Sequence, residues 1–140
     1  MRADAKRNYE RLLQAGREVL SERGSEASME EIAKRADVGV GTLYRHFPRR
    51  IDLVEAVYRK DVDGLVALAE QLGATLDPWQ ALAEWLVGFV EYGQSKRVFL
   101  TELHEAFEKC PDLALSSREK IGGAAAQVLG RAQRAGLART

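Results

Sequence analysis

The segment SMEEIAKRADVGVGTLYRHF, residues 28–47, contains two helix signals separated by a very short connection. Ser28 is a good N-cap, and Glu31 three positions later completes a capping-box pattern before an apolar run. The first helix has to end just before Asp37, because Asp tolerates the left-handed conformation and a second helical pattern begins at Val40. A connection of about three residues predicts a helix-turn-helix.

The second helix of this motif, about residues 40–47, has an apolar edge and a polar face. Leu43 and Phe47 form the apolar edge at helical spacing. Hydrogen-bond donors, a methyl group and no acid lie on the other side and its flanks, at Gly41, Thr42, Tyr44, Arg45 and His46. Such a face fits the major groove of DNA, where a guanidinium can bond guanine with two hydrogen bonds.

Residues 6 to 60 closely resemble the DNA-binding domain of the tetracycline-repressor family of bacterial transcription regulators. The family's motif is a Gly-Thr-Leu-Tyr run, two further positions ending in Phe, and a basic residue that opens the next helix. Here the matching residues are Gly41, Thr42, Leu43, Tyr44, Phe47 and Arg50. Two positions depart from the pattern: Asp37 stands where the family usually has Gly, and Gly39 stands where it often has a Ser cap. A glycine cap supplies no side-chain oxygen, which predicts a weakly ordered recognition helix in the absence of DNA.

The resemblance implies a role for each residue of the motif. Phosphate contacts are expected from Thr42, Tyr44, His46 and Arg50. Base contacts are expected from Arg45, with Val40 and Gly41 beside it. The predicted DNA-binding set also includes Ser28.

The formal net charge of the 140 residues is zero, but the charge is unevenly distributed. Residues 1–50 hold 11 basic and 8 acidic side chains, residues 51–110 hold 5 and 11, and residues 111–140 hold 5 and 2. A basic head can face phosphate, whereas an acidic middle segment is repelled by it. The charge distribution is therefore compatible with a DNA-binding protein.

The compartment is predicted from cysteine use and hydropathy. Cys110 is the single cysteine, so no intrachain disulfide can form, which suits a reducing cytoplasm. The charged N-terminus lacks the apolar core of a signal peptide, and no run approaches the roughly 18 apolar residues of a membrane span. We expect a soluble, cytoplasmic protein.

The helical periodicity predicts an all-α fold with seven helices and no strand. Stop and start signals include Gly24, Gly73, the Asp77-Pro78 pair, Pro111 and a capping box at Ser116. The expected helices span about residues 6–23, 28–36, 40–47, 50–73, 78–92, 95–109 and 113–135. Residues 1–48 form a helix-turn-helix DNA-binding domain in this interpretation. A long helix joins it to a helical-bundle domain for ligand binding and dimerisation, residues 49–140.

Catalytic and metal sites are not indicated by the remaining polar residues. The two histidines, His46 and His104, fall in different predicted helices without a Cys or carboxylate at metal spacing, so we expect neither a metal nor a cofactor. Glu102, Glu105 and Glu108 recur every three residues, and a solvated helix face is the favoured interpretation because no nucleophile or base accompanies them. An enzyme is therefore disfavoured.

Aromatic residues of the second domain have two open interpretations. The resemblance implies a small-molecule pocket enclosed by these helices, and plain core packing is an equal alternative. The candidate pocket residues are Trp85, Phe89, Tyr92, Phe99, His104 and Phe107.

The overall functional prediction is a repressor that leaves an inverted-repeat operator when a small-molecule effector binds its helical domain. The alternative is a helical interaction module that does not bind an operator. The resemblance also implies a homodimer built by two further helices after the seventh. Because the sequence ends at residue 140, we expect a weak, absent or different dimer for this chain and an exposed apolar face around Ile121, Val128 and Leu129. The Gly122–Ala126 run is interpreted as close helix packing.

Overall fold

The computed structural model describes residues 2–97 and 100–139, and within them it shows seven α-helices and no strand. The helices are α1 Arg2–Arg23, α2 Met29–Ala36, α3 Val40–His46, α4 Arg50–Thr75, α5 Pro78–Arg97, α6 Leu100–Lys109 and α7 Pro111–Arg139. The predicted all-α class is confirmed. None of the described helices combines the length and the hydropathy that a membrane crossing requires.

The chain divides into two compact units, and each is built from separate stretches of sequence. The first unit comprises Met1–Tyr58 and Ser95–Lys109, and the second comprises Arg59–Gln94 and Cys110–Thr140. Residues 95–109 therefore group with the first 58 residues, although they follow α5 in the sequence. This grouping brings α6 into the unit that contains α2 and α3.

The connections around α2 follow the local sequence signals. Gly24 has a φ of 56° and ends α1, as its position predicts. Asp37 adopts the left-handed conformation with φ 57° and ψ 46°. The amide of Asp37 bonds the carbonyl of Lys34 at 3.1 Å and that of Val38 bonds the carbonyl of Ala33 at 3.0 Å, which is a Schellman motif. The predicted turn is confirmed.

Only half of the predicted capping box at the start of α2 forms. The Ser28 hydroxyl oxygen accepts a hydrogen bond from the Glu31 amide at 3.0 Å, which confirms the N-cap. The carboxylate of Glu31 does not complete the box, because it pairs with the Arg23 guanidinium at 2.9 Å. One buried face of α2, made of Met29, Ile32, Ala33 and Ala36, fixes the helix in the first unit.

Two predicted helix boundaries in α5 and α7 are wrong. The predicted break after Tyr92 is absent, because α5 continues to Arg97; the next described residue, Leu100, belongs to α6. The predicted end of a helix before Pro111 is confirmed, because α6 ends at Lys109, and Pro111 also occupies the first position of α7, where its missing N–H costs nothing. Ser116 therefore lies inside α7 and does not cap it. Asp77 does cap α5, since its Oδ1 accepts from the amide of Trp79 at 3.0 Å.

The predicted stop at Gly73 is also wrong, because α4 continues to Thr75. A Cβ atom at Gly73 would lie 1.7 Å from Nη1 of Arg131 and 2.9 Å from its Cζ. This glycine therefore makes room for a guanidinium from α7 within the second unit. The close approach of the Arg131 guanidinium, rather than a turn, explains why a glycine is present at position 73.

The exposed face of α7 differs from the expectation. Val128 is 1% exposed and belongs to the core of the second unit, whereas Leu129 is 45% exposed. A Cβ atom at Gly122 or Gly123 would meet no atom within 4 Å, so these two glycines are not explained by close packing. Ala124 of the same run is 3% exposed and does pack in the core.

We expect Gly64→Ala to raise the free energy of unfolding by about 0.5–1 kcal/mol, because alanine is the better helix former and the position is open. Gly64 lies inside α4, is exposed, and a Cβ there would meet no atom within 4 Å. Urea denaturation of the variant measures the change.

Gly16→Ala is the matched comparison in α1. A Cβ at Gly16 would lie 3.2 Å from both Cδ atoms of Leu53, which is 0% exposed and has no room to move. We expect no stabilisation from this change. Equal gains at the two glycines would contradict the packing described here.

Candidate DNA-binding surface

The helix α3 is anchored through its apolar edge. Leu43 is 0% exposed and Phe47, which follows the last helical residue, is 3% exposed. The ring of Phe47 stacks on Tyr9 of α1 with a centroid separation of 5.3 Å. These contacts hold one side of α3 against the rest of the first unit, so the opposite side faces solvent in a fixed orientation.

The solvent side of α3 carries most of the predicted base-contacting residues. Val40 is 42% exposed and Tyr44 is 40% exposed, and Gly41 and Arg45 are also exposed. Within the described residues, the side chains of Tyr44 and Arg45 make no hydrogen bond or ion pair. Their donors are therefore free for a ligand. Thr42 is half-buried at the edge of this surface.

His46 also lies half-buried at the edge of the surface. Its ring meets the ring of Tyr9 edge-on at a centroid separation of 5.7 Å. This contact restricts the orientation of the imidazole. Ser28 is placed differently from the α3 residues, since its hydroxyl oxygen is used in capping α2.

Arg50 is directed at the protein rather than at solvent. Its Nε and Nη2 donate to the two carboxylate oxygens of Glu102 at 2.8 and 2.9 Å. Nη2 also donates to the carbonyl of Gly24 at 3.1 Å, and Nη1 donates to the carbonyl of Ala27. These bonds use four of the five N–H groups of the guanidinium. The phosphate contact implied by the family resemblance stays a prediction, and in this structure the donors it needs are occupied.

The interpretation of Glu102 as part of a solvated face is wrong. Its side chain is 14% exposed and pairs with Arg50, while Glu105 is exposed and Glu108 approaches His104 at 3.5 Å. The sequence contained no local signal for this pair, because its members are 52 positions apart. Burial of a carboxylate on α6 could be found only from the tertiary structure.

A second ion pair at the start of α4 could have been found from the sequence. Oδ2 of Asp52 accepts the backbone N–H of Arg49 at 2.9 Å, and the Arg49 guanidinium binds the same carboxylate at 3.1 and 3.3 Å. An acid at the third position of a helix is the signal for this arrangement. The hydrogen bond from Arg49 is the main cause of a lowered pKa of Asp52, and the bond to Asp52 raises the pKa of Arg49.

Three of the candidate pocket aromatics lie together on α5 in the second unit. The ring centroids are 5.7 Å apart for Trp85 and Phe89 and 6.2 Å apart for Phe89 and Tyr92. Trp85 is 2% exposed and its Nε1 donates to the Leu65 carbonyl at 2.9 Å, as expected for a core residue. Phe89 is 40% exposed, so it is the accessible member of this cluster.

The other candidate pocket residues lie elsewhere. His104 belongs to the first unit and its side chain is 74% exposed beside Glu108, which does not support an enclosed pocket there. Phe107 packs edge-on against Tyr58 at a centroid separation of 5.3 Å, also in the first unit. Phe99 lies outside the described residues. The five described residues of the predicted set therefore do not form a single cluster in either unit.

Two family profiles match most of the chain between them. Residues 12–57 match the profile of bacterial regulatory proteins of the tetR family. Residues 77–140 match the C-terminal domain of SbtR-like transcriptional regulators. The first match contains α2, α3 and the start of α4.

Individual relatives are similar to this chain in sequence and in fold. An HTH-type transcriptional regulator of Staphylococcus aureus is 40% identical over 73 residues, and the chain spans 40% of the length of such curated relatives. A TetR transcriptional regulator from Streptomyces coelicolor is 37% identical, with a TM-score of 0.81 over 91% of this chain and 73% of that one. A TetR regulatory protein from Mycobacterium vanbaalenii is 33% identical, with a TM-score of 0.82 over 96% and 81%.

We expect Asp52→Asn to lower the free energy of unfolding at pH 7 by up to about 1 kcal/mol, because Asn keeps an acceptor but loses the charge that binds Arg49. The lowered pKa of Asp52 means that the folded state holds the proton less tightly than the unfolded state. The stabilisation is therefore present above the unfolded-state pKa, near 4, and is lost as the pH falls through the lower folded-state value.

Urea denaturation at pH 7 and at about pH 2 checks this sign, since the difference between variant and wild type should shrink in acid. Asp63→Asn is the control, because the pair of Asp63 with Lys120 at 3.3 Å is exposed on both sides. An Asp52→Asn effect that is equal at both pH values would contradict the ion-pair assignment.

Proposed function

The chain belongs to the tetR family of bacterial regulatory proteins, and on that premise we propose that it regulates transcription by binding operator DNA through α3. The family is one of transcription regulators and not of enzymes. The observation that carries the proposal is the free polar surface of an anchored helix. Arg45 and Tyr44 are exposed and unpaired within the described residues, while Leu43 behind them is fully buried.

The contacts with DNA divide into two kinds. Arg45 has a planar fork that suits the O6 and N7 acceptors of guanine in the major groove, and Val40 with Gly41 allows close approach to neighbouring bases. Tyr44, Thr42 and His46 flank this point and suit phosphate oxygens, which fix the register of the helix on the duplex. We propose that specificity arises mainly from Arg45.

The operator is an inverted repeat in this proposal, and the regulator represses transcription while it occupies the site. Two copies of the chain then place α3 in successive major grooves, about 34–36 Å apart along the duplex. The twofold symmetry of the DNA site follows from the twofold symmetry of two identical subunits. Light scattering of the free and DNA-bound chain measures the number of copies.

The effector is proposed to be a small acid that binds the second unit. Nη1 of Arg131 is buried and has no hydrogen-bond partner in the described part of the chain. Arg131 is half-buried as a residue, and its buried Nη1 would gain a charge-assisted bond from a carboxylate that reaches it. The exposed ring of Phe89 offers an apolar contact in the same unit. Release of the operator requires only that the acid binds the DNA-free state more tightly.

The test of the proposal is in vitro selection of duplexes bound by the chain, followed by affinity measurement at several salt concentrations. Recovery of an inverted repeat, with an affinity that falls steeply as salt rises, supports it. The alternative of a helical interaction module predicts no enrichment and no salt-dependent binding to any duplex.

Arg45→Ala should cost about 1–3 kcal/mol on the selected operator and flatten the preference at one base pair of each half-site. Arg35→Ala is the control, because it removes the same charge from α2, where Arg35 pairs with Glu22 at 2.8 Å. We expect the control to leave the base preference unchanged. If the base preference survives in Arg45→Ala, Arg45 contacts only phosphate.

Arg131→Met tests the acidic effector with benzoate and octanoate as probes and their amides as matched neutral controls. Methionine keeps much of the side-chain length and removes the charge. We expect the carboxylates, but not the amides, to raise the thermal midpoint of the wild type, and the variant to lose this response. Equal shifts from acids and amides would contradict the role given to Arg131.

A further inference from the structure

We propose that Glu102 is a positioning residue for operator recognition, which acts through Arg50 to hold α6 and the DNA-binding helices in one arrangement. The inference rests on the proposed function for its DNA readout. It adds a residue of α6, far from the helix-turn-helix in sequence, to the determinants of DNA affinity.

The Arg50–Glu102 contact has the geometry of a strong ion pair. Both carboxylate oxygens of Glu102 accept from different nitrogens of one guanidinium, at 2.8 and 2.9 Å. The side chains are 30% and 14% exposed, so solvent screens the pair less than a surface contact. Two parallel bonds fix the relative orientation of the groups as well as their distance.

The same guanidinium also binds the turn that precedes the DNA-binding motif. Its remaining contacts are the carbonyls of Gly24, where α1 ends, and Ala27, which directly precedes the Ser28 cap of α2. One side chain at the first position of α4 therefore joins three segments. Because α2 is the scaffold of α3, the position of α6 is coupled to that of α3 through a short chain of polar contacts.

The apolar contacts of α6 do not supply this coupling by themselves. Leu103 and Ala106 are 0% and 1% exposed, and Phe107 packs on Tyr58. Apolar burial holds a helix against its neighbours but is non-directional, and it tolerates small sliding movements. The bidentate pair fixes one position of α6 among the several positions that its apolar contacts allow.

Removal of only one member of the pair is expected to be harmful. A part-buried Arg50 without its carboxylate keeps its desolvation cost, loses its strongest acceptor and is free to move away from Gly24 and Ala27. Removal of both members leaves no uncompensated charge. The effects of the two changes should therefore be strongly non-additive.

The experiment compares Glu102→Gln with Glu105→Gln in the full chain, with the selected operator and a scrambled duplex as probes. Both changes remove one negative charge from α6, but Glu105 is exposed and lies outside the pair. We expect Glu102→Gln to lower operator affinity roughly three- to tenfold and to lower the ratio of operator to scrambled affinity. The salt slope should stay unchanged because no phosphate contact is lost. Glu105→Gln should not lower either quantity.

The double variant Arg50→Met/Glu102→Gln completes the cycle, and we expect it to bind the operator no more weakly than Arg50→Met alone. Thermal unfolding of every variant shows the fraction folded at the temperature of the binding assay. A merely destabilised protein loses active molecules for both duplexes equally, so its ratio of affinities does not change. Additive effects, or an unchanged ratio in Glu102→Gln, would overturn the proposal.

Two further outcomes are informative. Higher affinity with a salt slope steeper by about one phosphate contact would show that Glu102 withholds Arg50 from DNA, which also overturns the positioning role. Failure of the wild type to bind any duplex would refute the proposed function instead. Hydrogen exchange of the α2 amides then tests the coupling without DNA: faster exchange in Glu102→Gln than in Glu105→Gln supports it, and equal exchange overturns it.

Discussion

The burial of Leu43 and Phe47 is the constraint on which the DNA-binding surface depends. A helix of seven residues with a glycine cap has too few hydrogen bonds to offset the cost of its own nucleation in water. It persists here because its apolar edge enters a core that also contains the Tyr9 ring and one face of α2. The polar surface of α3 is thus oriented by residues on its opposite side, and Arg45 and Tyr44 on that surface have no partner among the described residues.

Features set by neighbouring residues could be predicted from the sequence. The left-handed conformation of Asp37, the Ser28 cap and the Asp77-Pro78 start each depend on a few consecutive residues, and all three are present. Glycine and proline are less reliable as markers of a helix end where no such local signal accompanies them. Gly73 is explained by a guanidinium from α7, and Pro111 both follows the end of α6 and begins α7, because the effect of either residue depends on its surroundings.

In the candidate site, too, burial that is set within one helix could be predicted, whereas burial by a residue distant in sequence could not. The periodicity of α3 correctly predicted the buried edge at Leu43 and Phe47, because a single helix has only one face to bury. It placed Thr42 on the exposed side, where the structure has that residue half-buried. The pattern at Glu102, Glu105 and Glu108 is uniform in the sequence, yet Glu102 is part-buried against a cation 52 positions away. The aromatic residues were the least informative, because their spacing does not distinguish a core residue from an accessible one. Trp85 is in the core and Phe89 is exposed, yet both lie on the same helical face.

The unit that carries α3 is discontinuous in sequence, and this limits how the protein can be divided or recombined. Residues 1–58 contain the whole helix-turn-helix, but the carboxylate that compensates Arg50 comes from residues 95–109. A fragment that ends near residue 58, or a chimera with a single crossover between Arg50 and Glu102, separates the two members of this pair. An exchange of the first unit of this chain therefore has to carry residues 95–109 together with residues 1–58.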